Sequence, residues 1–315
     1  MYEQYFGLKT NPFMMTPDPR FLYLTPAHRE ALAGMIYSVV NRKGISLLIG
    51  EAGTGKTTLL RTVIESVPQT LAHFGLVVHP TVTASEFLEL LLLDLGIDDV
   101  PASKARRLAE LQRFLVEHHT AGKLVVVVLD EAHKLAPDLL EEVRLLANFE
   151  SSRGKLVQIV LSGQNELDGT LARQDMRQLK QRVAFRFVIR PLPPEDVAKY
   201  LAHRWAAAGA SQAHPFGEDT VDYLAFFSGG IPRVINAICD NALVLAYAEG
   251  NREVRPEHII SVAKDLAWDS EADMPAERAA AVGPAIVFPT LERTEAGKQE
   301  KAERLIAARP AVPVQ

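Results

Sequence analysis

Eight consecutive residues, Gly50-Glu51-Ala52-Gly53-Thr54-Gly55-Lys56-Thr57, satisfy every fixed position of the phosphate-binding pattern G-x-x-x-x-G-K-[ST]. In such a loop the glycines let successive backbone N–H groups curl round phosphate oxygens. The lysine reaches the β- and γ-phosphates, and the final hydroxyl coordinates Mg²⁺. Lys56 and Thr57 hold those two positions, and Gly50 to Thr57 with the following Thr58 are the candidate nucleotide-binding residues. An apolar run, Ile45-Ser46-Leu47-Leu48-Ile49, enters the loop and a helical pattern leaves it, so a helix amino terminus would face the anion. ATP with Mg²⁺ is the ligand that this combination implies.

A second apolar run, Leu124 to Leu129, ends in Asp130-Glu131. Two carboxylates at a strand end suit one metal contact and one base. Asp130 would stand beside the Mg²⁺ that Thr57 binds, and Glu131 would polarise a water for in-line attack on the γ-phosphate. A third run, Leu156 to Leu161, ends in Ser162-Gly163-Gln164. A polar side chain there could touch the γ-phosphate or the attacking water, with Gln164 the first choice and Ser162 the second. Which of the two does so stays open, because turns need polar residues in any case.

Arginines form the next constellation. Between Arg173 and Arg190 lie six basic residues and one acidic residue, Asp175. Such a run is usually a solvated face. Arg182 differs in ending a helical pattern immediately before a strand, where it could project into a neighbouring subunit's site and stabilise charge on the γ-phosphate. Arg177 is the alternative. Further on, Gly229-Gly230-Ile231-Pro232-Arg233 opens a helix, and Arg233 on its first turn could couple a helical lid to bound nucleotide.

Other chemistries are poorly supplied. The one cysteine, Cys239, excludes an internal disulfide and a four-cysteine zinc site, and its apolar helical setting reads as an inert core thiol. His118-His119 sits at a helix end, and none of the nine histidines shows metal-ligand spacing. Asp130-Glu131-Ala132-His133 spells a helicase box, yet the chain after Pro191 lacks the strands of a second motor domain.

The elements that position these residues follow from periodicity. Apolar runs at Ile45–Ile49, Phe74–Val78, Leu124–Leu129 and Leu156–Leu161 alternate with helical patterns at Thr57–Val67, Ala84–Leu95 and Lys104–His118. That alternation predicts crossover units and a parallel α/β sheet. Val183–Ile189 is a fifth strand, apolar on one face and rich in arginine on the other. At 315 residues the chain suits about two domains. The aromatic and proline-rich segment 1–25 is expected to pack on the core, residues 26–191 to form the sheet domain, and 192–268 to form a helical domain. Residues 269–315, rich in Ala, Glu, Arg and Pro, read as a disordered tail. With 34 basic against 39 acidic residues the net charge is −5, which does not suit a protein that mainly coats nucleic acid. No 20-residue apolar span and no secretory signal is visible, so the expectation is a reducing, cytoplasmic setting, with a peripheral place at the inner membrane left open.

Together the phosphate loop, the Asp-Glu strand, the polar strand end, the arginine before the fifth strand and Gly230-Ile231-Pro232-Arg233 resemble an AAA+ ATPase. More narrowly, Tyr5-Phe6-Gly7-Leu8, Asn11-Pro12-Phe13, Pro17-Asp18-Pro19-Arg20-Phe21-Leu22-Tyr23 and Leu156 to Glu166 resemble the ExeA/GspA family of secretion ATPases. The likeness runs over about residues 1–268. It implies a P-loop sheet domain with a carboxy-terminal helical lid, and ring or filament homo-oligomers with ATP at subunit boundaries and Arg182 acting in trans. ExeA continues into a transmembrane helix and a peptidoglycan-binding domain that this sequence does not show, so the shorter type from exosortase and exopolysaccharide clusters is the nearer match. Partners in an envelope secretion or export system are implied. A DNA-associated regulator of the TnsC kind is the alternative, for which Lys104-Ala105-Arg106-Arg107 and the 173–190 stretch could line a ring pore.

Overall fold

A computed structural model describes residues 1–77, 82–152 and 154–266. Trp268 and the tail expected at 269–315 lie outside these residues, as does Val78 at the end of the second apolar run. The described chain divides into two compact units. One comprises Thr16–Leu192 with Ile231–Arg233, the other Met1–Met15 with Pro193–Gly230 and the chain from Val234.

The first unit is built on five parallel strands: β1 (Ile45–Gly50), β2 (Ala72–Val77), β3 (Leu124–Leu129), β4 (Val157–Gly163) and β5 (Val183–Ile189). Their order across the sheet is β2-β3-β4-β1-β5. The continuous apolar runs reflect burial on both faces. Ile45, Leu47 and Ile49 of β1 and Val125, Val127 and Leu129 of β3 pack towards the helices Ala84–Asp94, Lys104–Thr120 and Pro137–Leu146. Leu48, Val126 and Val128 pack on the opposite face with Pro26–Val40 and Lys56–Ser66. β5 pairs on one side only, which fits its alternation of buried Phe187 and Ile189 with exposed Ala184 and Arg186.

Local signals set the helix starts. Thr25 caps Pro26–Val40, and Thr83 with Glu86 forms a reciprocal capping box on Ala84–Asp94. The periodicity did not reveal two further helices, Pro137–Leu146 and Asn165–Ala172, both short.

The second unit is helical: Pro194–Ala207, Glu218–Ser228, the helix Pro232–Ala248 from Val234 onward, and Pro256–Asp265. Gly229 ends the second of these in a left-handed conformation, and Pro232 opens the next. The aromatic segment 1–25 does not act as one piece. Its first fifteen residues belong to this helical unit and not to the sheet, because their polar groups are satisfied here. Tyr2 Oη donates to Asp240, Lys9 N donates to Ala208 O at 2.9 Å, and Arg204 donates to the carbonyls of Pro12 and Met14. Cys239 is fully buried, and burial pushes its thiol pKa up, as suits an inert core residue. Among the described residues no helix is long and apolar enough to cross a membrane.

Candidate nucleotide-binding site

The carboxyl ends of β3, β4 and β1 lie side by side, the edge at which open parallel sheets bind ligands. Gly50 ends β1 and the loop turns at once into Lys56–Ser66, whose first N–H groups therefore face the loop. Gly53 and Gly55 take φ of 79° and 96°, the left-handed region that a side chain disfavours. Gly53 has a second reason to be glycine. A Cβ there would stand 2.6 Å from Cβ of Arg233, whose backbone N–H donates to Gly53 O at 3.2 Å. The helix start that carries Arg233 thus belongs to the same compact unit as the loop.

Lys56 is buried, and its Nζ donates to Gly50 O and Glu51 O, both at 2.8 Å. Burial holds its pKa below the ordinary lysine range, while Asp130, Glu131, Glu166 and Glu51 oppose that shift. Thr54 is buried and bonds back to Glu51 O, Ala52 is exposed, and Thr58 is half-buried on the first turn.

Asp130 is 5% exposed and accepts three hydrogen bonds. Thr57 Oγ1 donates to Oδ2 at 2.6 Å, Ser162 Oγ to Oδ1 at 2.8 Å, and Glu131 N to Oδ1 at 2.9 Å. A buried carboxylate touching the Thr57 hydroxyl is the oxygen pair that a Mg²⁺ shared with phosphates and water would use. Among the described residues there is no cluster of three or more His, Cys, Asp or Glu that could hold a metal alone. Mg²⁺ usually takes few protein ligands beside substrate phosphates, so the donor set fits.

Glu131 follows in a left-handed conformation, φ 56°, uncommon for a residue with a side chain and a form of backbone strain that collects at functional sites. Its carboxylate is one-third exposed and ion-paired to Lys134 at 2.9 Å. Ser162 and Gln164 separate cleanly. Ser162 is buried in the Asp130 network, whereas Gln164 stands immediately before Asn165–Ala172 and bonds His133.

The remaining arginines are dispersed. Arg182 precedes β5, whose first residue pairs with Ile45 at the start of β1. It therefore stands about 17 Å along the strands from its own phosphate loop, on the opposite sheet edge. Arg186 is ion-paired to Asp168 and Arg173 to Asp175, while Arg177 is exposed at a helix start. Of the basic cluster at 104–107, Lys104 pairs with Glu142, and buried Arg107 bonds Glu89 and the carbonyls of Pro101 and Ser85.

Two histidines at the site were given no role from the sequence: His28, which no motif announces, and His133, which appears there only as the last letter of the Asp130–His133 box. His28 is buried, with Nε2 3.3 Å from Thr54 O and Nδ1 2.7 Å from Thr25 Oγ1. His133 bridges β3 and β4 through Gln164.

Comparison with known proteins agrees with this geometry. Residues 40–171 match the AAA domain family. General secretion pathway protein A of Aeromonas hydrophila is 39% identical over 255 residues, which is 81% of this chain and 46% of that protein. The chain belongs to the AAA+ ATPases. This AAA+ ATPase spans less than half the length of the Aeromonas protein. It is also 26% identical over 259 residues to the ATP-dependent target DNA activator B of Escherichia phage Mu, covering 80% of this chain and 76% of that one. In fold it resembles Cdc6p from Pyrobaculum aerophilum, with a TM-score of 0.65 and 20% identity over 81% of this chain and 70% of that one.

Proposed function

We propose that this AAA+ ATPase binds ATP with Mg²⁺ at the Gly50–Thr58 loop and hydrolyses it to drive conformational change or assembly in an envelope secretion or exopolysaccharide export system. The observation that carries the chemistry is Asp130 held between Thr57 and Ser162 directly beside a complete phosphate loop. In this reading the loop N–H groups and Lys56 take the phosphates, and Thr57 and Asp130 hold Mg²⁺. The ion supplies charge neutralisation on the phosphate oxygens. Glu131 accepts the proton of the attacking water, Gln164 contacts the γ-phosphate side, and Arg233 reports nucleotide to the helices. Arg182, too far from its own loop, serves the site of a neighbouring copy in a ring or filament. A cytoplasmic place at the inner membrane follows from the secretion reading.

The likeness to the phage Mu activator favours a second reading, a DNA-associated regulatory ATPase. The internal pairing of Lys104 and Arg107 removes two of the cations proposed for a pore. Phosphate release measured with and without duplex DNA at moderate salt, with K56A as the inactive control, separates the two. The secretion reading expects Mg²⁺-dependent release indifferent to DNA. Many-fold stimulation by DNA would replace it with the second reading, and release equal to that of K56A would refute both.

A further inference from the structure

Three side chains meet at the carboxyl edge of β3 and β4 beyond the metal-side network: Glu131, His133 and Gln164. The roles above leave His133 without a task, although its side chain is only 9% exposed on the turn Ala132–Lys134, directly after the proposed base. The backbone N–H of Gln164 donates to His133 Nδ1 at 3.3 Å. The side-chain amide of the same residue lies 3.1 Å from Nε2, and Glu131 Oε2 stands 3.7 Å from that nitrogen.

The donor inventory decides the arrangement. A neutral imidazole has one donor and one acceptor nitrogen, and a backbone N–H can only donate. Nδ1 is therefore the acceptor and the ring proton sits on Nε2. That proton needs an acceptor, and only the Gln164 side-chain amide lies within hydrogen-bond reach of it, Glu131 Oε2 standing beyond at 3.7 Å. The ends of an amide are set by their hydrogen-bond partners, so Gln164 turns its oxygen to the ring. Its NH₂ then points away from His133 as a donor, the end that a phosphate oxygen or a water would take.

We infer that His133 is a positioning residue for the hydrolysis: its ring fixes the Gln164 amide with its NH₂ outward, beside the Glu131 carboxylate. The inference rests on the reading of Glu131 as base and Gln164 as the γ-phosphate contact. A ring that merely filled the turn would tolerate any replacement of similar size.

The test compares steady-state ATP turnover, and binding of a non-hydrolysable ATP analogue, for the wild type, H133A, H133N, H133Q, Q164A and the double variant H133A/Q164A. H133Q keeps a donor where Nε2 stands, whereas H133N keeps only the Nδ1 end. The expected result is kcat lowered about tenfold or more in H133A and H133N with analogue affinity within about threefold, and recovery in H133Q. The double variant should lose no more than either single one, since the two residues act as a unit. Unchanged kcat in H133A, or losses that multiply in the double variant, would overturn the inference. Independently of turnover, ¹⁵N NMR of the ring in the chain alone, assigned by the signals missing from H133Q, should show the Nε2–H tautomer. A proton on Nδ1 would overturn it. Wild-type turnover equal to that of K56A refutes the ATPase reading itself, whereas an active wild type with an unaffected H133A refutes only the role of His133.

Discussion

Ser162 and Gln164 lie two residues apart on one strand end, yet they serve different groups. Ser162 donates to a buried carboxylate, so its loss leaves Asp130 one donor short, a cost of about 1–3 kcal/mol for an unsatisfied buried group. S162A should therefore raise the Mg²⁺ concentration needed for half-maximal ATP turnover, while Q164A should lower kcat with no change in that requirement. A magnesium titration of both variants checks this, and identical shifts would contradict the separation. His28 gives a second prediction, in stability. Burial lowers its pKa from the ordinary value, so the folded chain binds a proton there less readily than the unfolded chain. Stability from this group is full at neutral pH and is lost as pH falls below about 6.5. H28Q should thus lose less Tm than the wild type between about pH 7 and pH 5, and parallel losses would contradict the assignment. At this scale the loop, Asp130 and Glu131 were legible because contiguous residues spell them. His28 and the contact of His133 with Gln164 were not, because the partners Thr54 and Gln164 lie 26 and 31 residues away. Only the strand pairing joins β3 to β4 and so brings His133 to Gln164.

Elements convert these spacings into a site. Each of β1, β3 and β4 ends in candidate site residues because a parallel sheet delivers all its carboxyl ends to one edge. The alternating apolar runs gave the strands, but not their order β2-β3-β4-β1-β5, since long-range pairing leaves no local pattern in the chain. Asn165–Ala172 escaped notice partly because Gly169 dilutes its helical character. That glycine is exposed, has no positive φ, and a Cβ there would meet nothing within 4 Å. G169A should stabilise the protein by about 0.5–1 kcal/mol, read as a higher denaturant midpoint, and a lower midpoint would show a hidden constraint on that helix. Arg182 is the element-scale claim of greatest consequence, since its strand start faces away from its own loop. Mixing R182A with K56A subunits should restore part of the turnover that each lacks, because one supplies the arginine and the other the intact loop. No recovery at any mixing ratio would count against action in trans.

The whole molecule joins a sheet unit that holds the phosphate loop to a helical unit that holds the first fifteen residues. The sequence likeness reaches across both, covering 81% of this chain against the secretion protein, whereas the AAA domain match alone ends at residue 171. The net charge of −5 does not identify the partner, because the 173–190 stretch is locally basic although two of its arginines pair with neighbouring aspartates. What the chain does as a whole depends first on whether its carboxylate at 131 performs the chemistry. Phosphate release and ATP binding measured together on the wild type and E131Q test that directly. The predicted result is Mg²⁺-dependent release by the wild type, and an E131Q variant that binds ATP within about threefold of wild-type affinity but releases phosphate at least about 100-fold more slowly. Turnover by E131Q at the wild-type rate would contradict the account.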